Sequence, residues 1–376
     1  MNMPKTLSKF APVFAISALA FPASALKAEL PSTPLTGEYT VTDTETVHGE
    51  WYQPYEVAAG GILNIFGESA LLQVNYAYNY SPTFSGAGTV NIGSDTEYGR
   101  MIVTSTTTFS DNWNNIINFS GVINVGERGD FSISGSYPSH YGTIFQVGTL
   151  NVNGTVSVMS AEAGNLSYFG IKNLKIGSNG LFSSEIDIQT SDGGAYDFYG
   201  NEFTAPRIRA TGTSTINLHV KDALANLNTI DFESSKQSAL KINAYADNTV
   251  NALTFYSNST LELAIAQGQK LLIKSLKIRS NGGENLAIAF HNYESGSFLL
   301  GNSDVWIEDN RLYVPSADAY IDLVAYGSGG ETLSGVWSLE WNGDANALMF
   351  AVPEPADFAI AFGAFAAAFA AMRRRR

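Results

Sequence analysis

Between residues 63 and 278 the chain returns nine times to one short phrase, two apolar residues around a polar one: LNI, VNI, INV, LNV, LKI, IRA, IDF, LTF and LKI. The polar centres are Asn64, Asn91, Asn124, Asn151, Lys175, Arg209, Asp231, Thr254 and Lys277, at steps of 22 to 34 residues. In–out–in is the signature of a strand with one buried face. Recurrence at this spacing is the signature of a solenoid, because a single repeat cannot bury its apolar side and a stack of them can. Second alternating segments follow, such as Phe131 with Ile133, Val156 with Val158, Ile216 with Leu218 and Leu261 with Leu263. The expected fold is all-β, a right-handed parallel β-helix over residues 60–300 with the nine units in one sheet. The rival is an antiparallel sandwich, whose strands also recur at short spacing. The solenoid texture is similar to that of autotransporter-type passengers, although no membrane barrel follows it.

Composition agrees with β-structure: 35 Gly, 22 Phe and 18 Tyr in 376 residues, with only 15% charged side chains. The stretch ETVHGEWYQPYEV, within residues 26–59, is expected to cap the N-terminal end. Residues 301–351 contain DVWIEDNRLYV and GVWSLEWNGDANALMFAV, which read as hairpins turning at Asp309-Asn310 and Asn342-Gly343-Asp344. They are expected to form an antiparallel cap over the other end, which would otherwise expose strand edges and apolar surface.

The two termini read differently. Lys5 and Lys9, the apolar run FAPVFAISALAFPA and Ala23-Ser24-Ala25 make residues 1–25 a secretory signal peptide. At the other end Pro353-Glu354-Pro355 precedes an uncharged stretch, 358–372, and then Arg373, Arg374, Arg375 and Arg376. As a helix that stretch would extend about 22 Å, short for a hydrocarbon core of about 30 Å, and its arginines belong on the cytoplasmic side. Residues 352–376 resemble the PEP-CTERM sorting signal of Gram-negative bacteria. That resemblance implies a transient transmembrane helix in the inner membrane, cleavage near Glu354 and Pro355 by an exosortase-type peptidase, and delivery to the cell surface or extracellular matrix. With both termini removed, 15 basic residues face 33 acidic ones, so nucleic acid is not an expected partner. The chain has no cysteine, which excludes disulfides and thiolate chemistry.

Chemistry-bearing clusters are few. His48, His140, His219 and His291 are scattered and expected to be structural or surface residues. Ser238 to Lys241 and Ser110-Asp111-Asn112 imitate parts of a serine acyl-enzyme signature in reversed order and without its third motif, so they are read as chance. The densest acidic stretch carries Glu185, Asp187, Asp192 and Asp197. With Ile186 and Ile188 inward, Glu185, Asp187 and Gln189 share an outer face, a solvated surface first and a Ca²⁺ site second. No other cofactor is expected. Tyr76, Tyr78 and Tyr80 alternate along one strand, either closing the core or stacking on sugar rings. The asparagines Asn64, Asn91, Asn124 and Asn151 would form a stacked amide ladder if the coils register. The expected function is an exported, non-enzymatic surface or matrix protein, adhesive or associated with exopolysaccharide. Its alternatives are a β-helical polysaccharide lyase or hydrolase, for which a carboxylate-lined groove and a basic residue beside Asp187 would speak, and a carbohydrate-binding module.

Overall fold

The computed structural model describes residues 30–48, 54–76, 83–105, 117–135, 142–160, 167–232, 237–279 and 285–352. Among them the chain is a β-solenoid with a single 3-10 turn, Pro315–Ala317, as its only helical element. Parallel pairing runs from Glu38–Val41 to Ala319–Tyr326, which excludes the sandwich. Residues 1–25, expected as a signal peptide, and the stretch 353–376 lie outside the described residues, and no described helix is long and apolar enough to cross a membrane.

Each coil visits three faces. The first face stacks Glu38–Val41, Ile62–Ile65 and Thr89–Ile92, then the later halves of Ile117–Val125, Gly142–Val152 and Ser167–Ile176. It continues through Gly194–Phe198, Thr213–Leu218, Ser238–Ala244, Ser259–Ile265 and Ala287–His291. The second face runs from Thr44–His48 through Leu71–Tyr76, Gly99–Ser105, Gly129–Gly135 and Thr155–Ser160 to Leu181–Ser184. The third begins at Tyr55–Val57 and Phe84–Gly86, takes the early halves of the three long strands, and ends with Asp187–Gln189, Glu202–Ala210, Asn226–Phe232, Leu253–Phe255 and Leu276–Ile278. The described parts of the stretch expected as an N-terminal cap, Thr44–His48 and Tyr55–Val57, pair in parallel with the next coil.

The nine units do not share one ladder. Asn64, Asn91, Asn124, Asn151 and Lys175 stack on the first face, whereas Arg209, Asp231, Thr254 and Lys277 stack on the third. The 34-residue step from Lys175 to Arg209 hides the change, because it passes a whole coil to Asp197 and then moves round to another face. Every face needs the same in–out–in phrase, so the phrase identifies a strand and not its face.

Inward positions form columns along the axis. Leu63, Val90, Ile123, Leu150 and Leu174 follow one another on the first face, all at or below 1% exposure. On the third face Phe145 and Phe169 stand 5.8 Å apart, and Phe232 and Phe255 lie nearly parallel at 5.0 Å. The long strands turn from third to first face at Gly121 and Gly148. A Cβ at either position would press into the preceding coil's carbonyl, of Gly88 or of Ser120, so only glycine allows coils to stack there.

The ends differ. Trp306–Glu308, Arg311–Val314 and Ala319–Tyr326 form an antiparallel sheet, with Asp309 and Asn310 both at positive φ in the two-residue turn. Val336–Trp341 and Asn346–Ala351 pair antiparallel, and Trp337 closes the column against Phe290 at 5.1 Å. At the first coil Val41, Val47 and Val57 are buried like their counterparts in later coils, but Tyr39, Glu45 and Tyr55 stand in register with the apolar Leu63, Leu72 and Phe84.

Candidate functional site

The outward positions of the third face change character along the solenoid. They are uncharged at Ser85, Asn118 and Gln146, whereas Asp187, Arg207, Arg209 and Asp231 bring charges together farther along. Asp187 starts a strand of three residues and is held beside Arg207 and Arg209 of the next coil by the register Ile188 to Ile208. Arg209 donates from Nε at 2.9 Å and from a terminal nitrogen at 2.7 Å, both to Asp187 Oδ2. Arg207 Nε lies 3.4 Å from the same oxygen, and its terminal nitrogen donates to Asp231 Oδ2 at 3.0 Å. Thr229 donates to the other oxygen of Asp231 at 2.7 Å.

Two carboxylates and two guanidinium groups thus span three coils, with the Tyr168 ring 5.6 Å from Arg209. The carboxylates are the enclosed partners, their side chains 13% and 7% exposed. Charge-assisted bonds to enclosed carboxylates are among the stronger polar contacts a protein makes, and removing one partner leaves the other stranded. The network fixes the relative rotation of neighbouring coils.

Beyond Asp231 the third face hollows into a groove of about 700 Å³. Its lining includes Thr229, Thr254, Ser275 and Asp304, with Lys277 and Arg279 contributed by the last strand of the face.

The four carboxylates singled out in sequence are not brought together. Asp187 belongs to the arginine network. Asp192 accepts the Thr213 backbone N–H at 2.7 Å, in the turn before the first face. Asp197 lies on the first face, where Asn217 donates to it at 2.8 Å and His219 Nε2 stands 3.6 Å away. Glu185 is exposed just before the Asp187 strand. No group of three or more His, Asp or Glu arranged to hold a metal ion occurs among the described residues. Tyr76 ends the strand Leu71–Tyr76, whereas Tyr78 and Tyr80 lie outside the described residues, as does His140. So do Pro353, Glu354, Pro355 and Arg373 to Arg376.

The amide ladder is present and longer than the four asparagines. Asn151 donates to Asn124, Asn124 to Asn91 and Asn91 to Asn64, each at 2.8 Å. Asn64 then donates to Glu38 Oε1 at 2.7 Å. A second run repeats the arrangement: Asn243 donates to Asn217 at 2.7 Å, and Asn217 to Asp197. Both runs point their N–H groups the same way and end on a carboxylate, a group that only accepts. Lys175 occupies the position between the runs.

Sequence reading passed over Arg207 and Arg209 as partners of Asp187 because they lie about twenty residues downstream and become neighbours only through the coil register. The detectable signal was the cationic centre of IRA, a repeat unit one coil after an acidic strand. It also passed over a surface stack in which His219 lies between Tyr199 and Tyr245, at 4.1 and 4.8 Å and nearly parallel to both. Comparison of the chain with protein-family models, with curated proteins and with solved structures found no match.

Proposed function

We propose that this is an exported, non-enzymatic surface or matrix protein of a Gram-negative cell. In this reading residues 1–25 direct export, and residues 353–376 anchor the chain in the inner membrane until a peptidase cuts at Pro353-Glu354-Pro355. The observation carrying the non-enzymatic part is how the outward polar groups are used. Asp187, Asp192, Asp197 and Asp231 each bind a group on an adjoining coil, as the asparagines do, and so brace the stack. A catalytic carboxylate needs instead to face a reacting atom.

The sorting part is tested by mass spectrometry of the protein recovered from the cell surface or medium. The expected result is a C-terminal peptide ending close to Glu354 or Pro355; peptides from Ala359 onward in that fraction would overturn it. Replacing Glu354 and Pro355 by Ala is expected to leave full-length protein in the inner membrane.

The lyase alternative has one specific observation in its favour, two arginines beside Asp187 and a groove next to them. It requires unsaturated sugar ends to accumulate when the protein is incubated with polyuronates. Their absence over a long incubation would remove it.

A further inference from the structure

The groove on the third face has a charge character unlike the rest of the molecule. The chain as a whole carries a net charge of -14. Lining the groove are three cations, Arg207, Lys277 and Arg279, against two carboxylates, Asp231 and Asp304. Arg207 and Asp231 bind each other at 3.0 Å, which accounts for one of each. At the far end, Lys277 Nζ has no hydrogen bond or ion pair among the described residues. Arg279 faces the ring of Tyr256 at 5.6 Å, and neither cation is within ion-pair distance of Asp304. Two cations without anionic partners thus stand together at one end of a concavity. The lining between them and the ionic network includes small and hydroxyl-bearing side chains, Ala252, Thr254 and Ser275.

The shape follows from the coil sequence. Arg207 pairs with Thr229 in register, and Asp231 with Thr254 and then Lys277, so short side chains separate Arg207 at one end from Lys277 at the other. Adjacent coils are about 4.8 Å apart, so three spacings give a trough about 14 Å long, parallel to the solenoid axis. With Arg207 and Asp231 paired, Lys277 and Arg279 outnumber the remaining carboxylate, Asp304, so the concavity is locally attractive to an anion. The Thr254 and Ser275 hydroxyls suit a polyhydroxylated chain better than an apolar ligand, while the Asn302 amide is taken up by the Leu276 backbone N–H and carbonyl.

We propose that this trough binds a carboxylate-bearing oligosaccharide, a strand of an acidic glycan, with a uronate carboxylate between Lys277 and Arg279 and sugar hydroxyls along Thr254 and Ser275. The inference rests on the surface or matrix reading for its biological setting; the site depends only on the groove. Binding without turnover is what that reading requires.

The test is calorimetric titration of the exported chain with an oligogalacturonate, a neutral glucan oligomer of equal length and inorganic sulfate. The expected result is binding of the uronate oligomer at least tenfold tighter than either other probe, weakening as salt is raised. The Lys277→Ala/Arg279→Ala pair should weaken it tenfold or more with an unchanged melting temperature. If the pair unfolds, Lys277→Gln alone, at an exposed position, should still weaken binding severalfold. Lys241→Ala, on another face, should bind as the parent does. Absence of uronate binding, equal affinity for the neutral oligomer or for sulfate, or full affinity in a folded Lys277→Gln chain would overturn the proposal. Unsaturated products in the uronate titration would overturn the non-enzymatic reading while leaving the binding site in place.

Discussion

Glu45 is the side chain most at odds with its surroundings. It is 3% exposed and points inward, in register with Leu72 of the next coil. Its Oε1 accepts from the Tyr39 hydroxyl at 2.7 Å, whereas Oε2 and the neighbouring Tyr55 hydroxyl have no hydrogen-bond partner. Burial raises the Glu45 carboxyl above its ordinary value of 4.5, more than the Tyr39 hydrogen bond lowers it, and burial pushes the Tyr39 hydroxyl up to about 12. Since the folded state holds the Glu45 proton more tightly than the unfolded state, ionisation opposes folding. That contribution to stability is intact below pH 4.5 and is lost as pH rises through the raised value. Glu45→Gln removes the charge and keeps a carbonyl acceptor for the Tyr39 hydroxyl. Urea unfolding should find it more stable than the parent by about 1–3 kcal/mol at pH 7, with the difference closing near pH 4. Equal stability at both pH values would show that Glu45 is solvated after all.

At the scale of the strand and its ladder, direction is the informative property. Asn124 donates to Asn91 and accepts from Asn151, so its amide is specified at both ends. Asn124→Asp keeps the shape and the acceptor but sets a carboxylate oxygen against the Asn91 carbonyl. It should cost about 1–3 kcal/mol at pH 7. Protonation restores a donor, so the folded state raises this carboxyl's affinity for its proton, and the loss should shrink below about pH 4. If the Asn124→Asp chain proved as stable as the parent at pH 7, the amide chain would add nothing to coil stacking. This element was legible in sequence because Asn64, Asn91, Asn124 and Asn151 occupy the same place in successive phrases. Its carboxylate terminators were not, since Glu38 precedes the first phrase and Asp197 sits in YDF, whose aromatic flanks obscure the match. For the same reason the third-face site was only half visible. Asp187 was noticed for local acidity, but Arg207 and Arg209 reach it through pairing between coils, which no window of adjacent residues contains. The hairpin turns were local and therefore readable.

For the whole molecule, stacking makes stability nearly one-dimensional: each coil contacts its two neighbours, and the ends lose one neighbour each. The ends of this solenoid are finished in opposite ways. At the C-terminal end Trp337, 4% exposed, covers Phe290 and meets Phe350 at 4.5 Å, within a hairpin joined antiparallel to Phe298–Leu300. In the first described coil Tyr39, Glu45 and Tyr55 stand beside the buried Val41, Val47 and Val57, and two of their polar atoms are orphaned. Opening should therefore begin at the first coil and spread inward. Native-state amide exchange followed by mass spectrometry should find the strands Glu38–Val41, Thr44–His48 and Tyr55–Val57 least protected, the strands Ile117–Val125, Gly142–Val152, Ser167–Ile176 and Gly194–Phe198 most protected, and Ala287–His291 and Ala319–Tyr326 close to the latter. Trp337→Ala creates a cavity at the covered end, costing about 3–5 kcal/mol locally. Because coupling passes only between neighbouring coils, it should lower protection over Ala287–His291 and Ala319–Tyr326 and leave Ile117–Val125 and Gly142–Val152 unchanged. A uniform loss along the chain would instead identify the solenoid as one cooperative unit, and the end-to-end asymmetry would then have no bearing on how it unfolds.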